Sequence, residues 1–210
     1  MKPDGKTDRR RETVIKNIPN TLTALRLALA PVFVLLMIEP SRTMVYVATG
    51  IFILGALTDF MDGVIARRYG AVSDAGKLLD PVADKVLVMA ALVMLLAQRS
   101  EVDGAPWVPA WMVVLVLARE IWVTGLRGVA ASRGVVVAAS AAGKLKSAVQ
   151  MVAIVFLLLH DYPVAIFGSA VPSQILGLNA LLLSIVVSYW GAIDYTLAVF
   201  SGRDVEPRGG

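Results

Sequence analysis

The sequence predicts an all-α membrane protein with six transmembrane helices, a short amphipathic juxtamembrane segment before them, and both termini in the cytoplasm. Three observations carry this. The 210 residues are 57% hydrophobic, with a mean hydropathy of +0.72, well above the apolar share of soluble domains, about 45–50%. Six apolar stretches approach the roughly 20 residues that cross a hydrocarbon core. The basic residues between them fall almost entirely on one side.

In chain order, residues 1–17 read as a cytoplasmic juxtamembrane segment holding Lys2, Lys6, Arg9, Arg10, Arg11 and Lys16. No small-residue cleavage site closes the first apolar run, so a removable leader is not expected. The membrane domain spans 18–201, with helices expected near 22–38, 44–66, 78–97, 108–130, 138–159 and 175–200. Arg67, Arg68 and Lys77 flank the second turn, Arg127, Arg133, Lys144 and Lys146 the fourth, and Arg203 and Arg208 lie in the 202–210 tail. Only Arg42 and Arg99 fall on the opposite side, which by the positive-inside rule places both termini in the cytoplasm. The net charge of +4 then faces an anionic leaflet. Trp107, Trp111 and Tyr162 near helix ends suit an interfacial aromatic belt, and the single His160 reads as structural.

Absence of cysteine leaves oxygen and His160 as the available metal ligands. No Rossmann glycine fingerprint or P-loop occurs, and no nucleic-acid partner is expected.

Four aspartates interrupt the apolar pattern. Asp59 and Asp62 fall in the second helix, Asp80 and Asp84 in the third. Each ionised carboxylate at mid-bilayer depth costs about 2.5–3.5 kcal/mol on insertion scales, so the group requires bound cations or water. Spacings of three and four put each pair on one helix face. With 70–73 as the turn of an antiparallel hairpin, Asp62 and Asp80 are each nine residues from position 71, and Asp59 and Asp84 twelve and thirteen. The carboxylates should then meet at two levels, roughly 13 and 19 Å below the turn. Hard oxygen ligands favour Mg²⁺, Mn²⁺ or Ca²⁺ over zinc, and four carboxylates suit two ions clamping a phosphoryl group. Gly63, Ala66 and Gly76 leave room beside the helix backbones, and Arg67 supplies a guanidinium for phosphate.

These residues follow D-x-x-D-G-x-x-A-R, eight residues, then G-x-x-x-D-x-x-x-D, through Asp59, Asp62, Gly63, Ala66, Arg67, Gly76, Asp80 and Asp84. The run resembles the signature of the CDP-alcohol phosphatidyltransferase family, with every fixed position and spacing kept. That resemblance implies a six-helix, homodimeric enzyme that moves a phosphatidyl or similar group from a CDP-linked donor to an alcohol and releases CMP. It also implies that Asp59, Asp62 and Asp80 hold two divalent cations, Mg²⁺ or Mn²⁺, and that Asp84 is the catalytic base and a further metal contact.

Ile18 to Arg26 is similar to the P-N-x-L-T-x-x-R opening of family members that use glycerol 3-phosphate, and Asn20, Thr23 and Arg26 can share a face suited to the nucleotide diphosphate. Arg119-Glu120 to Leu126-Arg127 and Gly143-Lys144-Leu145-Lys146-Ser147 to Gln150 are similar to further segments of the same members, with Ser147 where Thr is usual. Arg119, Lys144, Arg127 and Lys146 are accordingly expected to bind the acceptor's phosphate, Arg119 above all because it lies deep in its span.

The expected reaction joins CDP-diacylglycerol and glycerol 3-phosphate at the cytoplasmic face of a bacterial inner membrane. Two alternatives stay open: a different acceptor, such as inositol phosphate, serine or phosphatidylglycerol, and a divalent-cation transporter. The acidic run has no repeat in the second half of the chain, as paired transporter sites often do.

Overall fold

The computed structural model describes residues 5–69, 74–100, 104–132, 141–166 and 169–201, with side chains described for 21–58, 82–83, 85–100, 104–132, 146–165 and 170–201. These residues form six helices: α1 (Gly5–Leu36), α2 (Arg42–Tyr69), α3 (Asp74–Ala97), α4 (Ala110–Ser132), α5 (Ala141–Leu158) and α6 (Ser173–Ser201). The chain divides into two compact units, Met1–Met94 and Leu95–Gly210.

In the first unit α1 packs on α2. Thr23, Arg26, Ala30, Phe33 and Met37 are all buried, and their alternating spacing of three and four makes one continuous stripe along α1. Ala48 and Phe52 of α2 are buried as well, and the Phe33 and Phe52 rings meet at 6.4 Å between centroids, tilted by 55°. Ser41 starts α2 as its N-cap, its Oγ accepting the Met44 N–H at 3.3 Å. Gly55 lets α3 approach closely, because a Cβ there would collide with the Leu87 side chain.

In the second unit α6 packs against both α4 and α5. Tyr189 donates its hydroxyl to the Leu115 carbonyl at 3.0 Å, and Trp122 donates Nε1–H to Thr196 Oγ1 at 3.1 Å. Both partners advance seven residues between these bonds, so α4 and α6 run parallel, with α5 as the returning helix. Gly177 brings α6 onto α5: a Cβ would lie 2.6 Å from Leu157 Cγ and 3.0 Å from its backbone nitrogen. Small residues at such contacts let helix backbones come close.

Three details differ from the sequence reading. First, α1 begins at Gly5, so Pro19 and Asn20 lie within a helix instead of opening one.

Second, the mostly helical fold carries one small β-ribbon among the described residues. β1 (Pro163–Ile166) and β2 (Ser169–Pro172) pair antiparallel, Pro163 opposite Pro172 and Ile166 opposite Ser169. Prolines at the outer ends leave the ladder between them intact. Ser173 fastens this ribbon to α6, its backbone N–H and hydroxyl both donating to the Tyr162 carbonyl.

Third, Trp107 is buried against the His160 ring, with centroids 3.6 Å apart, and so does not join an interfacial belt. Trp111 and Tyr162 are exposed.

Among the described residues, α6 is the one helix long and apolar enough to cross a membrane, and shorter apolar helices run over Thr21–Leu36, Arg42–Thr58, Lys85–Ala97 and Lys146–Leu158.

Candidate active site

Asp59, Asp62, Gly63, Ala66 and Arg67 belong to α2, and Gly76, Asp80 and Asp84 to α3. Their side chains, those of Asn20 and Lys144, and residues 70–73, where the turn is expected, lie outside the described residues. Among the described residues, no three His, Cys, Asp or Glu side chains gather into a metal-binding group.

The described neighbours of the acidic run carry a register. Gly55 and Leu87 meet across α2 and α3, and each is sixteen residues from position 71. That is the level pairing an antiparallel hairpin centred on 71 requires. Close by, Thr58 is buried and donates its hydroxyl to the Gly55 carbonyl at 2.8 Å. Ala83, beside Asp84 in sequence, is fully buried.

Of the expected nucleotide ligands, Thr23 and Arg26 are brought together on α1. Their spacing of three puts them on the buried stripe shared with Ala30 and Phe33, and Arg26 is only 3% exposed. A guanidinium enclosed to that degree lies within the protein's packing.

Of the expected acceptor ligands, Arg119 and Lys146 converge in the second unit. Glu120 Oε1 accepts from Arg119 Nη1 at 2.5 Å and from Lys146 Nζ at 2.7 Å. The three side chains are 13%, 17% and 7% exposed for Arg119, Glu120 and Lys146. Arg119 Nε also donates to the Ser188 carbonyl of α6 at 3.3 Å.

Sequence periodicity explains the enclosure. On α4, Met112, Val116, Val123, Leu126 and Ala130 form a buried stripe in which position 119 is the missing member. On α5, Lys146 begins a buried stripe continued by Gln150, Ala153 and Leu157. Two cations on core-facing stripes require an enclosed anion, and Glu120 supplies it. Arg127 is an exposed residue of α4.

Glu120 had no assigned role in the sequence reading. The available signal was its place beside Arg119 within an otherwise apolar helix, where a single basic residue without an acidic partner would be costly.

Comparison with known proteins adds a second line of information. The family model described as CDP-alcohol phosphatidyltransferase matches residues 16–190. The chain is 40% identical over 186 residues to the CDP-diacylglycerol–glycerol-3-phosphate 3-phosphatidyltransferase of Bacillus subtilis (strain 168), covering 83% of this chain and 92% of that protein. A protein of the same name from Rickettsia typhi is 37% identical over 175 residues, covering 83% and 94%. Another, from Sodalis glossinidius, is 36% identical over 188 residues, covering 87% and 94%.

Proposed function

This chain belongs to the CDP-alcohol phosphatidyltransferase family, and from that premise we propose that it transfers the phosphatidyl group of CDP-diacylglycerol to the hydroxyl of glycerol 3-phosphate. The products are phosphatidylglycerophosphate and CMP. The observation that carries the acceptor is the extent of the likeness to relatives bearing that name, over at least 83% of this chain and 92% of theirs.

The aspartates are the proposed centre. At helical spacing, positions 59 and 62 extend the α2 stripe of Ala48, Phe52 and Gly55, and positions 80 and 84 extend the α3 stripe of Leu87, Ala91 and Leu95. The Gly55–Leu87 register supports facing the two pairs. A set of four carboxylates, with no thiolate in the chain, fits two hard divalent cations, Mg²⁺ or Mn²⁺. Asp59, Asp62, Asp80 and Asp84 would hold them. Bound there, such ions would supply positive charge to neutralise a diphosphate and to stabilise CMP as a leaving group.

The protein's own groups do the remaining work. Thr23, Arg26 and Asn20, with Arg67 and the small residues Gly63, Ala66 and Gly76, bind the nucleotide diphosphate and orient its phosphorus. Arg119 and Lys146, with Lys144 and Arg127, bind the acceptor's phosphate. Asp84 takes the proton from the attacking hydroxyl as the new P–O bond forms and the bond to CMP breaks. Holding both reactants in line supplies much of the acceleration in such transfers.

The six helices are read as membrane-spanning, with the site facing the cytoplasm of a bacterial inner membrane and two chains forming a homodimer. The exposed apolar side chains of α6, among them Leu183, Val186, Trp190, Ile193, Leu197 and Phe200, support a helix surrounded by lipid or protein.

An acceptor panel tests the assignment. Purified protein with CDP-diacylglycerol should release CMP with glycerol 3-phosphate and far more slowly with serine, inositol phosphate or phosphatidylglycerol. A preference for any of the other three would overturn it.

A further inference from the structure

We propose that Glu120 is a positioning residue for the acceptor: it holds Arg119 and Lys146 as a paired clamp for one phosphate group. This rests on the reading of those cations as acceptor ligands. Both bond to the same carboxylate oxygen, so Arg119 Nη1 and Lys146 Nζ lie no more than 5.2 Å apart, the two bond lengths together. That spacing lets two donors reach different oxygens of one tetrahedral phosphate.

The cations come from different helices, α4 and α5, and like charges so close in a poorly solvated site repel. Glu120 accepts from both and so draws them together. The Ser188 carbonyl fixes the other side of the guanidinium through Nε, which sets the plane of the fork. Arg119 Nη2 bonds to nothing among the described residues, leaving that edge of the fork to meet a ligand.

The arrangement also explains why a carboxylate can sit among phosphate ligands. Arg119, Glu120 and Lys146 carry one net positive charge, so the cluster still attracts an anion while the shared oxygen keeps both cations in place. An amide in the same position could still accept from both donors through its oxygen, but it carries no charge to offset the repulsion between the two cations. The pair would then separate.

The test is E120Q against wild type, with E120D as the conservative variant. Initial rates are measured against each substrate separately, and sn-glycerol 3-phosphate binding to the detergent-solubilised protein is measured by calorimetry. In E120Q the KM for glycerol 3-phosphate should rise at least tenfold and its binding weaken in parallel, while the KM for CDP-diacylglycerol stays within twofold. E120D should recover part of the loss.

Equal binding of glycerol 3-phosphate by wild type and E120Q would overturn the proposal, as would a loss falling equally on both substrates, which marks a structural role. Wild-type protein that turns over another alcohol and neither binds nor uses glycerol 3-phosphate overturns the acceptor assignment first, and the positioning role with it.

Discussion

Gly55 of α2 stands against Leu87 of α3, and the two are equally distant from position 71, sixteen residues to either side. This contact gives the hairpin its register. Because the chain has no cysteine, the double variant G55C/L87C offers a clean check. It should form an intramolecular disulfide under mild oxidation, seen by mass spectrometry after proteolysis, while the shifted pair G55C/A91C should form little.

Gly177 is the described glycine of the second unit where an added Cβ would crowd its neighbours, pressing on the Leu157 backbone as well as its side chain. Backbone yields less readily than a side-chain end, so G177A should destabilise by about 1–3 kcal/mol, as overpacked contacts do. G55A should cost less, since only the end of Leu87 must move. Thermal unfolding of both variants in the same detergent compares them.

Removing Lys146 takes from Glu120 one of its two cationic partners and leaves Arg119 to balance it. K146M should lower stability by about 1–3 kcal/mol, in the range for the loss of one hydrogen bond to a charged group, and should also raise the KM for glycerol 3-phosphate. Denaturant titration with parallel kinetics would show both effects. An unchanged unfolding midpoint would mean that Glu120 is satisfied by Arg119 alone.

His160 lies outside the helices and pairs with Asp161 at 2.9 Å. Burial pushes its imidazole below the ordinary value, and Asp161 opposes that shift without cancelling it. The unfolded chain therefore binds the proton more readily, and stability falls as pH drops below about 6.5, the unperturbed histidine value. Unfolding midpoints at pH 7.5 and 5.5 should differ for wild type and differ less for H160Q.

D84N should reduce turnover by about 10²–10⁴-fold, the usual contribution of a positioned general base, with CDP-diacylglycerol binding retained. D59N, D62N and D80N should instead lower turnover and raise the Mg²⁺ or Mn²⁺ concentration needed for half-maximal activity. Wild-type turnover in D84N would remove Asp84 as the base.

Much of the helical plan was legible because apolar runs and their periodicity are local. The ends of α2 and α3 lie within a few residues of the expected turn at 70–73, and the Gly55–Leu87 contact agrees with the register deduced from the aspartate spacing. The start of α1 was not legible. Polarity in residues 5–17 reads as a surface segment, and helix continuity does not depend on hydropathy.

The ribbon at 163–172 was hidden for a different reason. Its strands have four residues each, too short for alternation to register against the apolar helices on either side. Trp107 was misread because an aromatic at a helix end can face lipid or the protein core with the same sequence signature. Arg119 and Lys146 were legible as cations in need of an anion. That this anion includes Glu120 depends on α4 and α5 coming together, which no local pattern contains.

The most direct test of the central claim is the product balance of the protein reconstituted in lipid vesicles with CDP-diacylglycerol, glycerol 3-phosphate and Mg²⁺. The expected result is CMP and phosphatidylglycerophosphate in equal amounts, with both abolished by a chelator and restored by Mg²⁺ or Mn²⁺. CMP release independent of glycerol 3-phosphate, or turnover that survives complete metal removal, would contradict it.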